Sequence, residues 1–533
     1  MEIDCIPFKQ TGYFSALICD YIEKKEGLAP FYNRHFRLED FKGQIEEKAS
    51  HFPNANREIL YDALQRQYKS TVASKKTLDN LKKLKEPISF TVTTGHQLNL
   101  FTGPLYFLYK IISTINLTTA LKTAYPKYNF VPVYWMATED HDFEEINYFN
   151  FKGRKLQWNR EAKGAVGRLS TVGLEEVFET FAQEIGGGTN AETLKNHFRE
   201  AYLKHSTLTE ATRFLANALF GAYGLVILDG DDAGLKSLLV PYAEKDIFGQ
   251  LAFTKVSETV TKLQELSSAY GIQVNPREIN YFYLKDNVRE RLVEKDGLFY
   301  VNDTDLSFTR EALMAELKNH PERFSPNVIA RPLYQEVILP NLCYIGGGGE
   351  IAYWLELKSM FDAMQVPFPI LLLRNSALVI SGKQSDKLHK MNLSLADLFL
   401  KQSSFINKKI REISNIDIDF SPQKQYLETQ FEQLYELAKL TDKSFLGAVK
   451  AQEVKQKKGL DHLEKRLLKA QKRKLEDHVV RMTELQNQLF PNQSLQERNQ
   501  NFSELYLELG PDLIPSLIKV LDPLTTSFLT LKY

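Results

Sequence analysis

ISFTVTTGHQLNLFTGP, residues 88–104, runs from β-prone residues into a glycine-bounded turn that holds His96, Gln97 and Asn99. A helix is predicted next, with Pro104 in its first turn and Leu105, Leu108, Ile112 and Ile115 at helical spacing. The stretch FVPVYWMATEDHDFEEIN, residues 130–147, is an apolar strand that empties into Glu139, Asp140, His141 and Asp142. Strand, turn, helix and returning strand form a βαβ unit with a right-handed crossover. Ligands of open parallel sheets bind outside the carboxyl ends of the strands, so both polar clusters are expected to face one cleft.

Outward from this unit, β-rich runs recur at 224–230, 341–347 and 367–373, and helical patterns cover 231–250, 328–339 and 351–364. That alternation predicts an α/β fold with a doubly wound parallel sheet. The gaps between strands exceed ordinary crossovers, which places insertions at about 150–215 and 265–325. The second insertion carries INYFYL (279–284) and GLFYVND (297–303), expected to pair as strands of a small β unit. Residues 1–87 read as a mostly helical segment packing on the core, which spans 88–384. Beyond about 385 the strands are expected to stop. A heptad seam follows over 422–452: Leu427, Phe431, Leu434, Ala438, Thr441, Phe445 and Ala448. A more charged pattern covers 453–489, with Gly459 and Pro491 interrupting or ending it. Two long antiparallel helices in a coiled-coil arm, residues 385–500, are the simplest reading, with 501–533 returning to the core. Such a seam suits homodimerisation. The basic run at 469–478 reads first as a solvated helix face.

Composition narrows the function. Lys plus Arg equal Asp plus Glu at 67 each, so no global field draws in nucleic acid or an anionic membrane. Cys5, Cys19 and Cys343 lack zinc-ligand spacing, which argues against a thiolate-bound metal and fits a reducing compartment. No leader pattern opens the sequence and no apolar run reaches membrane-spanning length, so a cytoplasmic protein is expected.

Three clusters carry chemistry. In the first, Gly95, His96, Gln97, Asn99 and Gly103 frame a turn at a helix start, where free N–H groups favour an anion such as a nucleotide phosphate. It is neither a Walker loop nor GxGxxG, and a well-capped turn with a surface histidine is the competing reading. In the second, Glu139, Asp140, His141 and Asp142 suit a magnesium ion bridging phosphates, an ammonium group, or a general base. Recognition of an amine together with base work is preferred. The third, CYIGGGGEIAYW (343–354), sets Gly346, Gly347, Gly348 and Gly349 between strand and helix, an anion or ribose site, with Glu350 and Tyr353 beyond. Upstream, Arg331 and Gln335 stand one helical turn apart, able to face the same cleft or to serve a structural carboxylate. Asp229, Asp231 and Asp232 stand at a third strand end, where helix capping by Asp231 or Asp232 is expected at least as much as ligand contact. No GxSxG elbow supports covalent acyl-enzyme chemistry. Adenylate transfer or ligation suits the whole.

Four ordered blocks then share one likeness. TTGHQLNLFTGPLY (93–106), VYWMATEDHDFEEIN (133–147), RPLYQEVILPNLCYIGGGGEIAYW (331–354) and LFPNQSLQER (489–498) together resemble the BshC family, the cysteine ligases of bacillithiol biosynthesis. The resemblance covers most of the chain. It implies a Rossmann-like core similar to class I aminoacyl-tRNA synthetases and nucleotidyltransferases, two connective insertions and a dimerising coiled-coil arm. The implied reaction joins the carboxyl of L-cysteine to the amine of glucosaminyl-malate, with ATP as activator, ADP as a product that can stay bound, magnesium admitted and zinc not expected. The family's turn reads Gly-Gln-Gln where this chain has Gly95-His96-Gln97, so His96 either acts on phosphate or replaces glutamine by shape. By the same resemblance, His96 and its turn stabilise phosphate charge. Glu139, Asp140 or His141, with Asp142 beside them, position the amine and take its proton. Trp135, Gln335, Glu350 and Tyr353 shape the pocket, and Arg331 meets a malate carboxylate. The rival readings are a ligase for another amino acid and amine, and a nucleotide-responsive coiled-coil scaffold.

Overall fold

The computed structural model of the chain describes residues 2–533. Its core is a five-stranded, all-parallel sheet of β1 (Ser89–His96), β2 (Asn129–Met136), β3 (Val226–Asp229), β4 (Asn341–Gly346) and β5 (Ile370–Leu373), in the order β5-β4-β1-β2-β3. The chain steps outward from β1 to β3, then crosses to the other side of β1 and steps outward again. The doubly wound sheet predicted from the alternation is therefore present, and its topological switch point lies between β1 and β4.

Residue chemistry explains why β1 takes the centre. All eight of its residues are buried, and four of them are threonine or valine. The Thr91 and Thr93 hydroxyls donate to Asn341 Oδ1 at 3.2 and 2.9 Å, and Thr94 donates to the Ile345 carbonyl at 2.7 Å. The buried hydroxyls thus find partners on β4 and help fix its register. Pro132 is tolerated inside β2 because β3 begins to pair only at Val133, which leaves the strand an edge where the N–H is missing. After β1, helix α1 (Tyr106–Ala124) is buried on nearly every side, packed between the sheet and the helix Leu513–Val520.

The connection β2–β3 carries a hairpin (Tyr148–Phe151 with Arg154–Gln157) and three helices, Leu174–Ile185, Thr189–Tyr202 and Leu208–Phe220. The connection β3–β4 carries a five-stranded antiparallel sheet. There the expected pairing of INYFYL with GLFYVND is corrected. Tyr281–Lys285 and Leu298–Val301 both pair with an intervening strand, Val288–Lys295, whose charged residues masked its β character. Strands also reappear outside the predicted core: Ser527–Lys532 lies between Glu2–Pro7 and Ala377–Ile380.

The chain divides into two compact units, Met1–Val379 with Gln496–Leu531, and Ile380–Leu495 with Lys532–Tyr533. In the second, the helices are Ser421–Lys439, Lys443–Lys474 and Glu476–Leu489. The antiparallel turn falls at 440–442, inside the predicted first helix, because the Asp442 carboxylate caps the next helix through Ser444 N (2.9 Å) and Phe445 N (3.0 Å). Gly459 interrupts nothing and lies within the longest helix. Phe431, Ala438 and Val449 form the buried seam, with Leu427 and Tyr435 against it, while Phe445 is exposed.

In the first unit, the turn after β1 is held from far along the chain. Phe101, Thr102 and Gly103 all take positive φ, 49°, 68° and 63°. For the bulky Phe101 this is a strained conformation. A Cβ on Gly103 would stand 2.5 Å from Asn99 Cβ, so glycine is required there for packing and not for a ligand. Asn501 Nδ2 donates to the carbonyls of Phe101 (2.8 Å) and Gly103 (2.6 Å), while Phe149, Phe181, Phe198 and Phe502 surround the Phe101 ring. Asn501→Ala strands two buried carbonyls and is expected to cost about 2–4 kcal/mol in urea unfolding. A loss below about 1 kcal/mol would show that the turn holds itself.

Candidate active site

A cavity of about 500 Å³ opens at the carboxyl ends of β1, β2 and β4, beside the switch point. The loops after these strands bring Gly95, His96 and Gln97, then Glu139 and Asp140, then Gly347, Gly348 and Gly349 to its wall. Helix α2 (Ala330–Ile338) contributes Arg331, and α3 (Gly348–Leu355) contributes Glu350 and Tyr353; Trp135 lines it from β2.

One wall is cationic. Lys110, on α1, is almost wholly buried; its Nζ donates to the Gly95 carbonyl at 2.7 Å and pairs with Glu350 Oε2 at 2.6 Å. Glu350 also accepts from the Tyr344 hydroxyl (2.7 Å) and from Gly347 N (2.8 Å). Burial opposes ionisation of Glu350, but Lys110 and these donors outweigh it and hold the carboxyl below its usual range. Burial pushes the Lys110 ammonium down, with Glu350 pulling against it. Arg374, 4% exposed, pairs with Glu497 at 2.8 Å and lies over the Tyr106 ring, yet its Nε has no partner. Arg331 sits 5.7 Å from the rings of both Trp135 and Tyr344 and bonds Gln335 through Nη1, leaving buried Nη2 without a partner. Arg498 completes this side. Guanidinium groups lining a cavity suit phosphate or carboxylate oxygens.

The other wall is acidic. Glu139 is ion-paired to fully buried Lys236, which also stands 3.5 Å from Asp231. Burial drives the Glu139 carboxyl up, against the pull of Lys236. Asp140 behaves oppositely. Burial would raise it, but His141 and Gln97, whose Nε2 donates at 2.9 Å, hold it well below the usual carboxylate range.

Several expected site residues lie elsewhere. His141 is exposed, off this cavity, and its Nδ1 accepts from Arg289 Nη1 at 2.6 Å. Asp142 is exposed ahead of the short helix Phe143–Ile146. Consecutive residues of an irregular loop diverge, so the acidic run divides. Asn99 is turned away and donates to the Glu145 carbonyl at 3.1 Å. Gly346 is close-packed: a Cβ there would meet Glu350 Cβ at 2.9 Å. Gln335 is core, bonded to Glu336, which also accepts from Asn341 and pairs with Lys48 at 2.8 Å. Asp231 forms a bidentate pair with Arg168, and Asp232 caps a helix through Leu235 N. His96 lines the cavity but is 7% exposed, not a surface histidine. Burial first, then Lys110, depress its imidazole to about 3, so it stays uncharged near neutrality.

Sequence reasoning missed Lys110, Tyr106, Tyr344, Arg289, Arg374 and Arg498. For Lys110 a signal existed, since it is the one charged residue between Leu105 and Leu121. The Arg498 signal was weaker, in a block quoted only for its likeness.

Two family descriptions cover the chain. Residues 1–375 match the family described as "Bacillithiol biosynthesis BshC, N-terminal Rossmann-like domain", and residues 377–533 match "Bacillithiol biosynthesis BshC, C-terminal coiled-coil domain". Similar proteins that bear the name "Putative cysteine ligase BshC" come from Flavobacterium johnsoniae (58% identity, 99% of each chain), Christiangramia forsetii (58%, 100% of this chain and 99% of the other) and Cytophaga hutchinsonii (37%, 98% of each).

Two outcomes test the electrostatics. Between the ordinary histidine value of 6.5 and about 3, the unfolded chain binds a proton at His96 that the folded chain does not. Stability therefore rises with pH across that window and falls on acidification. Wild type is expected to lose about 3 kcal/mol more than His96→Gln between pH 7 and pH 4, read from urea midpoints; parallel profiles would contradict it. Lys110→Met is expected to cost about 2–3 kcal/mol, with part regained on adding Glu350→Gln. Simple additivity of the two losses would deny the coupling.

Proposed function

We propose that this chain, which belongs to the BshC family of bacillithiol biosynthesis, is a ligase that joins the carboxyl of L-cysteine to the amine of glucosaminyl-malate, with ATP as the activating co-substrate. The observation that carries the reading is one cavity at the switch point of a Rossmann-like sheet with a cationic wall facing an acidic one. Amide formation by carboxyl activation needs both: fixed positive charge for the phosphoryl-bearing leaving group, and a base for the incoming ammonium proton.

Lys110, Arg374 and Arg498, with the N–H groups of Gly348 and Gly349 at the start of α3, are the anion side in this reading. The Gly347 N–H is already taken by Glu350, which narrows the predicted glycine cradle to its last two members. The guanidinium groups of Arg374 and Arg331, which line the cavity, suit the oxygens of a nucleotide phosphate or a substrate carboxylate. A magnesium ion accompanying the nucleotide would be held chiefly by its phosphates.

As the amine nitrogen bonds to the activated carboxyl carbon, the carbon–oxygen bond to the phosphoryl-bearing group breaks. The ammonium proton passes to Glu139, which burial makes more basic than an ordinary carboxylate. Asp140, strongly acidic and fully hydrogen-bonded, holds positive charge and is a poor base. His96 contributes as an uncharged hydrogen-bonding group. Exposed Tyr426, Leu437 and Leu440 on the arm support a homodimer through the coiled coil. No helix among the described residues is long and apolar enough to cross a membrane.

Cysteine, ATP and glucosaminyl-malate incubated with the protein are expected to give bacillithiol by exact mass. Absence of product where a control enzyme succeeds would sink the assignment. Glu139→Gln is expected to lower kcat about 100-fold with the fold intact by circular dichroism. Undiminished turnover would remove Glu139 from the proton transfer.

A further inference from the structure

A second cavity, of about 400 Å³, adjoins the first and shares Asp140, Arg289, Asn327 and Val328 with it. Its remaining wall comes from His141, from the irregular segment 273–279 and from two strands of the inserted sheet, Tyr281–Lys285 and Val288–Lys295. Three arginines line it: Arg277, Arg289 and Arg291. None of the three has a carboxylate within ion-pair distance among the described residues; Arg277 is exposed and Arg291 half-buried, but Arg289 is buried, and most other buried cations of this unit are paired, including Lys48, Lys110, Lys236 and Arg374.

Arg289 is the informative member. It is 8% exposed, and its polar partners are neutral: Nη1 donates to His141 Nδ1 at 2.6 Å, which requires a lone pair on that nitrogen, and Nε donates to Ser325 Oγ at 3.2 Å. Its guanidinium carbon stands 3.9 Å from the Phe282 ring centre. Glu139, Asp140 and Glu290 act on it only at longer range, and Asp140, which also faces this cavity, is already occupied by Gln97 and the His141 N–H. A buried guanidinium without a contacting counter-ion is costly. Placed between two cavities, with two further unpaired arginines beyond it, it has the form of an anion receptor, since guanidinium groups match carboxylate and phosphate oxygens.

We infer that the second cavity is an anion subsite of the same active site, in which Arg277, Arg289 and Arg291 take a carboxylate- or phosphate-bearing arm of a substrate whose reacting end lies in the first cavity. The inference rests on the ligase reading above for what that arm is: the malyl dicarboxylate of the amine substrate, with the nucleotide's phosphates as the other source of the same chemistry.

Calorimetric titration of the full chain with malate, and separately with inorganic phosphate, tests the subsite without turnover. The R277Q/R291Q double variant is expected to bind the favoured anion about tenfold more weakly, and wild-type affinity is expected to fall as salt rises. R277Q alone, at an exposed position, gives the same readout should the double variant not fold. In turnover, a KM for glucosaminyl-malate raised about tenfold, with that for cysteine unmoved, assigns the subsite to the malyl arm. A raised KM for ATP instead assigns it to phosphate. Equal malate and phosphate binding in wild type and variants, with equal KM values, overturns the subsite. Arginine-dependent anion binding in a protein that forms no product overturns the ligase reading and leaves the subsite standing.

Discussion

One ammonium group ties the two halves of the sheet together where they part. Lys110 belongs to the helix that follows β1, yet its Nζ reaches both the carbonyl that ends β1 and the carboxylate that opens α3 after β4. The switch point is a place where successive connections leave in opposite directions, so nothing in the sheet itself holds their first residues at a fixed separation. The Gly95–Lys110–Glu350 link does so. Because Glu350 also caps Gly347 N and accepts from Tyr344, the position of the glycine-rich loop depends on the same carboxylate.

That link governs the electrostatics around it. Lys110 helps to keep His96 neutral, and its own charge is moderated by Glu350, while Arg331 and Arg374 add to the field. Across the cavity, Lys236 does for Glu139 what Lys110 does for Glu350, but there burial wins and the carboxyl is driven up. Two carboxylates, each beside a buried lysine, are thus tuned in opposite directions by their other neighbours: Glu350 has a backbone N–H and a tyrosine as well, whereas the Asp231 charge raises Glu139 further. The proposed base role of Glu139 rests on this difference in partners.

The sheet and the shared cleft were legible because strand ends are local events. β-branched runs, glycine turns and the polar residues just beyond them lie within short windows, and a parallel sheet brings such windows together. What could not be read was depth and direction. GHQ looks the same on a surface or buried, and only packing against Tyr106 and Phe107 fixes His96 as neutral. Arg331 and Gln335 share a helix side, but one lines the cavity and the other enters a core network through Glu336. Arg374 and Arg498 meet at the site from opposite ends of the arm's sequence, a juxtaposition that no local pattern carries. The arm's turn was misplaced because a heptad count ran through Asp442, whose capping role is as strong a signal as the seam.

The left-handed turn after β1 carries a consequence for how the molecule is made. Its two carbonyls are satisfied by Asn501, and its phenylalanine packs on Phe502, residues that leave the ribosome only after the whole arm has been synthesised. Until then the loop bearing Gln97 and Asn99 lacks its anchor, although β1 and β2 are long complete. The cleft beside it is therefore among the last parts of the molecule to become rigid during synthesis, because its first loop is fixed only when residues 501 and 502 are in place.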